Sequence, residues 1–347
     1  MIYSDDYWND VDKVIKCIPG IEDLNGKSIL ITGGTGMICS SVCEILLRRN
    51  KTENAGIKIY LAGRSKERTE KRFYEFNEGA DYFFVEFDAV NPVKLDLDVD
   101  FIIHGASNAN PSVYAKEPVE TALSNILGTN NLLKMAAEKN VKRLLYVSSS
   151  EVYGNVEKAR PFVEDDYGFV DILNPRACYP NSKRMAETLC SCYGAEYGVD
   201  TVSVRPGHIY GPTITNSDTR ASAEFTRNVL NGEPIVMKSA GDQLRSYCYT
   251  LDCASALLAV LINGKKGEAY NISNKDSVVT IRQIAEALAN YGGTEIVFEN
   301  PSDLEKRGYN MMNNSALVSE KLEGLGWKAC FSLEDGVKRT IDTLKRG

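Results

Sequence analysis

Tyr179 and Lys183 stand four residues apart in the run Ala177-Cys-Tyr-Pro-Asn-Ser-Lys-Arg184. One turn of helix separates them, so phenol and ammonium share a face. A fixed positive charge beside a tyrosine stabilises its phenolate, and a group that ordinarily titrates near ~10 becomes a base closer to neutrality. That chemistry suits removal of a proton from a sugar hydroxyl while hydride leaves the same carbon. Many helix surfaces carry Tyr and Lys at this spacing, so the reading depends on two features upstream: the serine cluster Ser148-Ser149-Ser150 and the glycine turn Gly33-Gly34-Thr35-Gly36.

The elements that must position these groups are legible as apolar runs. Ser28 to Thr32 has strand length and runs into the glycine turn, and a helical pattern through Val42, Ile45, Leu46 and Leu47 follows. Further strands are expected at 57–62, 82–87, 101–104 and 143–147, the last running directly into Ser148. Val119 to Lys139 has the period of a long helix, with Leu123, Ile126, Leu127, Leu132 and Leu133 assigned to its inner side. Alternation of strands and helices implies an α/β fold, a Rossmann-type doubly wound parallel sheet with ligands at the carboxyl ends of the strands. The helix carrying Tyr179 extends to about Tyr197, and a sixth strand covers 201–204.

Beyond Pro212 the alternation weakens. Helices are expected at 221–230, 254–262, 281–291 and 318–325, with a strand at 295–298, forming a smaller C-terminal lobe over the mouth of the sheet. An amphipathic helix from Ser4 to Ile18 precedes the main domain. The expected organisation is a helical extension over 1–24, a mainly NAD(P)-binding Rossmann domain over 25–212, and a mainly substrate-binding lobe over 213–347.

The chain has 347 residues, 43% hydrophobic and 25% charged, which is ordinary globular composition. A net charge of −7 with scattered lysines and arginines offers no footprint for nucleic acid. Met1 to Asp12 lacks the basic and apolar regions of a signal peptide, and no apolar run reaches bilayer length. Nine cysteines without metal-ligand spacing fit free thiols in a reducing cytoplasm, and no metal site is expected.

Glycines at Gly33 and Gly36 let the backbone approach a pyrophosphate and aim the next helix N-terminus at it, with Cys39 at the third glycine position of the longer fingerprint. Asp88, ending the third strand, is placed to accept from an adenine amino group. Where the second strand commonly ends in an acidic residue for the ribose, this chain has Gly63-Arg64-Ser65, and Arg64 keeps NADP open beside NAD.

From about Lys27 to Lys328 the chain resembles the extended short-chain dehydrogenase/reductases, specifically the NAD-dependent nucleotide-sugar epimerases, dehydratases and decarboxylases. The resemblance is carried by Thr32-Gly-Gly-Thr-Gly-Met37-Ile38, His104-Gly-Ala106-Ser107, Asn125-Ile-Leu-Gly-Thr-Asn130, Ser148-Ser-Ser-Glu-Val-Tyr-Gly154, Tyr179 with Lys183, Arg205-Pro with Tyr210-Gly-Pro212, and Leu325-Gly-Trp327. It implies that Tyr179 is the base at the sugar C4 hydroxyl and that Lys183 holds the nicotinamide ribose and favours the phenolate. Ser149 would bond the same hydroxyl and Asn125 would order the site. Met37, Ile38 and Ala106 would join the glycines at the cofactor. Ser107, Ser150, His208 and Arg245 would meet a nucleotide-diphosphate sugar, Arg245 at the diphosphate, which its planar fork suits. The helices from Val119 and Tyr179 would pair two subunits into a homodimer.

Ser150-Glu151 separates the reactions open to such a site. The 4,6-dehydratases carry an Asp-Glu pair here, because elimination needs one carboxyl as acid and another as base. Ser150 disfavours that reaction. Serine followed by glutamate is similar to the UDP-glucuronate decarboxylases, as are Pro111, Tyr114 and Pro118 after His104, and Ala177-Cys-Tyr179 with Lys183-Arg-Met-Ala-Glu187. Departures lie at His208, at Thr213, and at Tyr309-Asn310-Met311-Met312-Asn313-Asn314, where those decarboxylases carry Asn, Arg and a basic pair. A 4-epimerase is the first alternative within this chemistry, and a 4,6-dehydratase stays open behind it. A non-catalytic dinucleotide-binding protein is the alternative outside it, although binding alone has no use for Tyr179, Lys183 and Ser149.

Overall fold

A computed structural model describes residues 3–91, 96–156, 160–215, 217–301 and 312–346. Tyr309, Asn310 and Met311 of the divergent stretch lie outside the described residues.

Seven strands form the central sheet: β1 (Ser28–Thr32), β2 (Lys58–Gly63), β3 (Phe83–Glu86), β4 (Phe101–His104), β5 (Arg143–Val147), β6 (Thr201–Pro206) and β10 (Ala269–Ile272). Their order is β10-β6-β5-β4-β1-β2-β3, every adjacent pair parallel, so the winding direction reverses between β1 and β4. A crevice opens at such a reversal beyond the carboxyl ends of the strands. β1 is buried on both faces, as strands covered by helices on two sides must be. Ile29 and Ile31 belong to the core beneath α2 (Met37–Glu53) and α8 (Thr250–Asn263), whereas Leu30 points to the opposite core with Leu132, Leu133, Leu144 and Ala186.

That second core is closed by α5 (Pro118–Glu138) and α6 (Cys178–Tyr197), which pack on each other. Leu132 and Leu133 are fully buried as expected, but Leu123 and Leu127 are exposed. The helix has a buried stripe and an exposed apolar one. The buried stripe, through Thr121, Asn125, Gly128 and Leu132, faces the subunit; the apolar one, through Val119, Leu123 and Leu127 at intervals of four, faces outward.

α1 (Asp5–Ile15) is capped by Ser4, whose hydroxyl accepts from the Tyr7 amide, and it buries Tyr7, Val11, Val14 and Ile15 against α2 and α8. Beyond residue 213 the chain builds a second layer and also returns to the first. β9 (Leu244–Tyr249) is flanked by β11 (Val278–Thr280) and β13 (Asn314–Ser315) and pairs with β7 (His208–Tyr210). β8 (Ile235–Met237) pairs with β12 (Ile296–Phe298), and α7 (Ala221–Asn231) and α9 (Ile281–Gly292) pack together. β10 and α8 rejoin the main sheet. The helix expected over 318–325 is confined to Glu320–Glu323 by Gly324 and Gly326, and a final helix, Leu333–Lys345, follows. Among the described residues no helix is long and apolar enough to cross a membrane.

Candidate active site

At the end of β1, Gly33 takes a left-handed φ of 72°, and a Cβ there would lie 2.8 Å from the Ala106 amide nitrogen. Gly36 is the N-cap of α2 and provides no side-chain cap, so the amides of the first turn, beginning at Met37 and Ile38, are left to an incoming anion. This close backbone approach and uncapped helix end fit a dinucleotide pyrophosphate. Cys39, at the third glycine position, is fully buried against Gly105, where only a glycine leaves room for its sulfur. Arg64 is exposed after β2, and Asp88, after β3, accepts from the amide of Val90 at 3.3 Å, so both stand at carboxyl ends of strands on the α2 side of the reversal.

Thr32 Oγ1 accepts a hydrogen bond from the Ala106 amide at 3.1 Å and shares a second one with His104 Nδ1 at 2.8 Å. Burial pushes His104 down to about 3, with Lys183 adding to the effect, so it stays a neutral packing residue. Ser107 Oγ and Asn125 Oδ1 are buried without a partner among the described residues, as groups that await a ligand would be. Asn125 donates through Nδ2 to Ser182 Oγ at 2.9 Å, and Ser182 donates to the Tyr179 carbonyl at 3.0 Å. Asn125 therefore fixes the first turn of α6.

The phenol of Tyr179 is buried beside Ser149, which favours its ionised form, and Ser149 Oγ accepts from the Glu151 amide at 3.2 Å. Burial, and then the Glu151 carboxylate, push the phenol up to about 12, against the pull of Ser149, Arg220 and Arg176. Lys183 does not bond it. The ammonium donates to the Val147 carbonyl at 2.8 Å, lies 5.8 Å from the Tyr179 ring centre, and is itself pulled down to about 7 by burial. The phenol's cationic neighbours are thus arginines, whereas the sequence pointed to the lysine.

Glu151 receives both terminal nitrogens of Arg176, each at 3.1 Å, and Arg176 also reaches the Tyr114 hydroxyl at 3.3 Å. Tyr114 stacks on Tyr179 with ring centres 5.2 Å apart. Ser150 is buried beside them. On the other side, Arg220 pairs with Asp218, touches Met37 Sδ at 2.8 Å and feels both tyrosines. Thr213 closes the same loop by donating to the Met37 carbonyl at 2.9 Å.

Arg245, in β9, is buried with its Nη1 on the Leu244 carbonyl and no carboxylate partner among the described residues. Desolvation lowers its pKa, with Tyr247 and Glu151 opposing. A buried, unpaired guanidinium is stabilised by an anion. His208 lies in the same field: burial, then Arg245 and Arg220, push it down to about 3, and its Nδ1 has no partner among the described residues.

Ser149, Glu151, Tyr179, Arg245 and His208 therefore share one electrostatic neighbourhood, joined to the glycine turn through Arg220 and Met37. Sequence reasoning missed Arg176, Arg220 and Asp218. Arg176 stands one residue before the quoted run, and only the fold brings Arg220 to the mouth. Among the described residues, no cluster of His, Cys, Asp or Glu is arranged to hold a metal.

The model of the family described as NAD dependent epimerase/dehydratase matches residues 29–273. UDP-glucuronic acid decarboxylase 1 of Xenopus tropicalis is 32% identical over 331 residues, 94% of this chain and 74% of that protein. UDP-glucuronic acid decarboxylase 3 of Arabidopsis thaliana is 32% identical over 89% of this chain and 86% of that one. The solved UDP-glucuronic acid 4-epimerase of Bacillus cereus, in complex with UDP-glucuronic acid and NAD, superposes with a TM-score of 0.77 at 23% identity, over 92% of this chain and 99% of that one.

Proposed function

This chain belongs to the NAD dependent epimerase/dehydratase family, and from that premise we propose that it acts on a UDP-linked sugar, with UDP-glucuronate as the substrate and decarboxylation as the outcome. The carrying observation is the buried Tyr179 phenol set between Ser149, which favours its ionised form, and the Glu151 carboxylate, which opposes it. NAD supplies the hydride acceptor at C4 and returns the hydride at the end.

Tyr179 Oη takes the proton from the C4 hydroxyl, and Ser149 Oγ holds that oxygen in line. The resulting ketone makes the C5 carboxylate a β-keto acid, which loses carbon dioxide readily. Arg245 binds the diphosphate and Arg220 closes the mouth over the sugar. Gly33, Gly36, Met37, Ile38, Ala106, Asn125 and Lys183 hold the cofactor, with Asp88 and Arg64 at its adenosine end. Ser107, Ser150 and His208 line the sugar.

A 4-epimerase is the second reading. The bidentate pair with Arg176 favours it by engaging both oxygens of Glu151, a carboxyl for which epimerisation has no use. We place the enzyme in the cytoplasm as a homodimer, its partner covering the outward stripe of Val119, Leu123 and Leu127 together with Met185 of α6.

The test is incubation with NAD and UDP-glucuronate. Carbon dioxide and a UDP-pentose support decarboxylation; a UDP-hexuronate epimer supports the second reading. Glu151→Gln should abolish decarboxylation while leaving the first oxidation detectable as nicotinamide absorbance. Unchanged turnover in that variant removes the decarboxylase assignment.

A further inference from the structure

β7 begins with only Gly207 between it and the end of β6, and it pairs in parallel with β9. The β9 sheet is thereby set at the carboxyl end of the main sheet, where the crevice opens. Arg245 of β9 lies opposite Ser315 of β13 and opposite Val279 of β11, and His208 lies opposite Tyr247, two residues further along β9. Paired residues on neighbouring strands stand about 4.8 Å apart and project to one face, and residues two apart on a strand share a face. Ser315 and His208 therefore lie on the face that carries the Arg245 guanidinium. Ser315 is 1% exposed, and its hydroxyl has no hydrogen-bond partner among the described residues. The neighbouring serine is engaged: Ser246, on the opposite face of β9, accepts from the Leu317 amide at 2.8 Å. A buried hydroxyl without a partner costs free energy, and that cost is removed when a ligand supplies the acceptor.

We propose that Ser315 is a substrate-binding residue, its hydroxyl donating to a phosphate oxygen of the nucleotide diphosphate that Arg245 holds. The proposal rests on the nucleotide-diphosphate reading of the site and adds a second donor to it. A diphosphate has more oxygens than one planar fork engages, and Arg245 keeps its Nη1 on the Leu244 carbonyl at 2.9 Å. A serine hydroxyl turns to suit its acceptor, and a bond to an ionised phosphate belongs to the stronger class. From Gly308 to Leu317 the chain has no lysine or arginine, so no cation of that stretch competes with the hydroxyl for the same oxygen.

On the other side of Arg245, Val279 offers no donor. The diphosphate is therefore drawn toward β13, which fixes the direction in which the sugar leaves Arg245. Ser315 acts on the nucleotide end of the substrate, so the proposal stands whether the sugar is decarboxylated or epimerised.

The test titrates UDP, which keeps the diphosphate and omits the sugar, into the NAD-loaded wild type and Ser315→Ala, by calorimetry and by melting with and without UDP. The expected result is a ~10-fold loss of UDP affinity in the variant, with NAD affinity unchanged. Without UDP the variant should melt at or above the wild-type midpoint, because it removes an unsatisfied buried hydroxyl; a serine with a structural role would lower it. UDP should then raise the wild-type midpoint more than the variant's. Equal UDP affinity in the two proteins, or a variant that loses stability without UDP, overturns the proposal, while UDP binding by the wild type still upholds the reading of the site. A wild type that binds no UDP overturns that reading itself, and the proposal with it.

Discussion

Arg176 and Glu151 form a two-pronged ion pair, 3.1 Å at each contact, directly beside the phenol of Tyr179. The carboxylate raises the phenol's pKa and the guanidinium lowers it, so the pair acts on the base as a balanced unit. Removing either half should tip the balance in opposite directions. Arg176→Met leaves Glu151 uncompensated and should move the acid limb of the kcat/KM profile to higher pH, with at least a ~10-fold loss at neutrality, equivalent to about 1.4 kcal/mol. Glu151→Gln should move the acid limb of C4 oxidation, followed by nicotinamide absorbance, to lower pH. Shifts of the same sign in both variants would show that the pair does not tune the phenol.

Arg220 acts on the same phenol from the opposite wall. It is held by Asp218 and by Met37 at the start of α2, and it pulls Tyr179 down more than Arg176 does. Arg220→Met should therefore shift the acid limb upward, because a base that has lost a neighbouring cation needs higher pH to ionise. Arg220→Lys retains the charge and should restore part of the shift. A pH profile identical in all three proteins would remove Arg220 from the site's electrostatics.

Lys183 gives a stability signature of its own. Burial holds it near 7 in the folded chain, against about 10.4 in an unfolded one. Across that window the unfolded chain binds a proton that the folded one does not, so stability rises with pH between these values and is lost as pH falls toward 7. The contribution has a slope of up to ~1.4 kcal/mol per pH unit. Urea midpoints for the wild type and Lys183→Met, measured without cofactor from neutral to alkaline pH, should show the wild type gaining on the variant as pH rises. Parallel curves would show that Lys183 stays charged in the folded state.

Much of this site is legible in the chain because strands covered on both faces read as apolar runs whose ends are marked. β1 runs into Gly33 and β5 into Ser148, and a parallel sheet brings those two ends to one edge. Leu123 and Leu127 were assigned inward because periodicity identifies an apolar stripe without saying what covers it; theirs faces outward from α5. The arginines were harder to place. Arg220 reaches Tyr179 only because the loop after β7 is fastened to Met37 through Thr213, a long-range contact that no local pattern encodes. The partner of Lys183 is a backbone carbonyl, which leaves no trace in residue type.

Gly33 is where backbone and cofactor requirements meet. Its left-handed φ of 72° costs an L-residue roughly 1–2 kcal/mol, and an added methyl would press on the Ala106 nitrogen at 2.8 Å. The Ala106 amide is committed to Thr32, which in turn holds His104, so the collision would travel along that chain into the loop carrying Ser107. Gly33→Ala should lower thermal stability by a few degrees, in keeping with a loss of about 1–3 kcal/mol, and weaken NAD binding by ~10-fold or more. Isothermal titration with NAD and a melting curve measure the two effects separately. A variant with lowered stability but unchanged NAD affinity would mean that the turn shapes the fold without approaching the pyrophosphate.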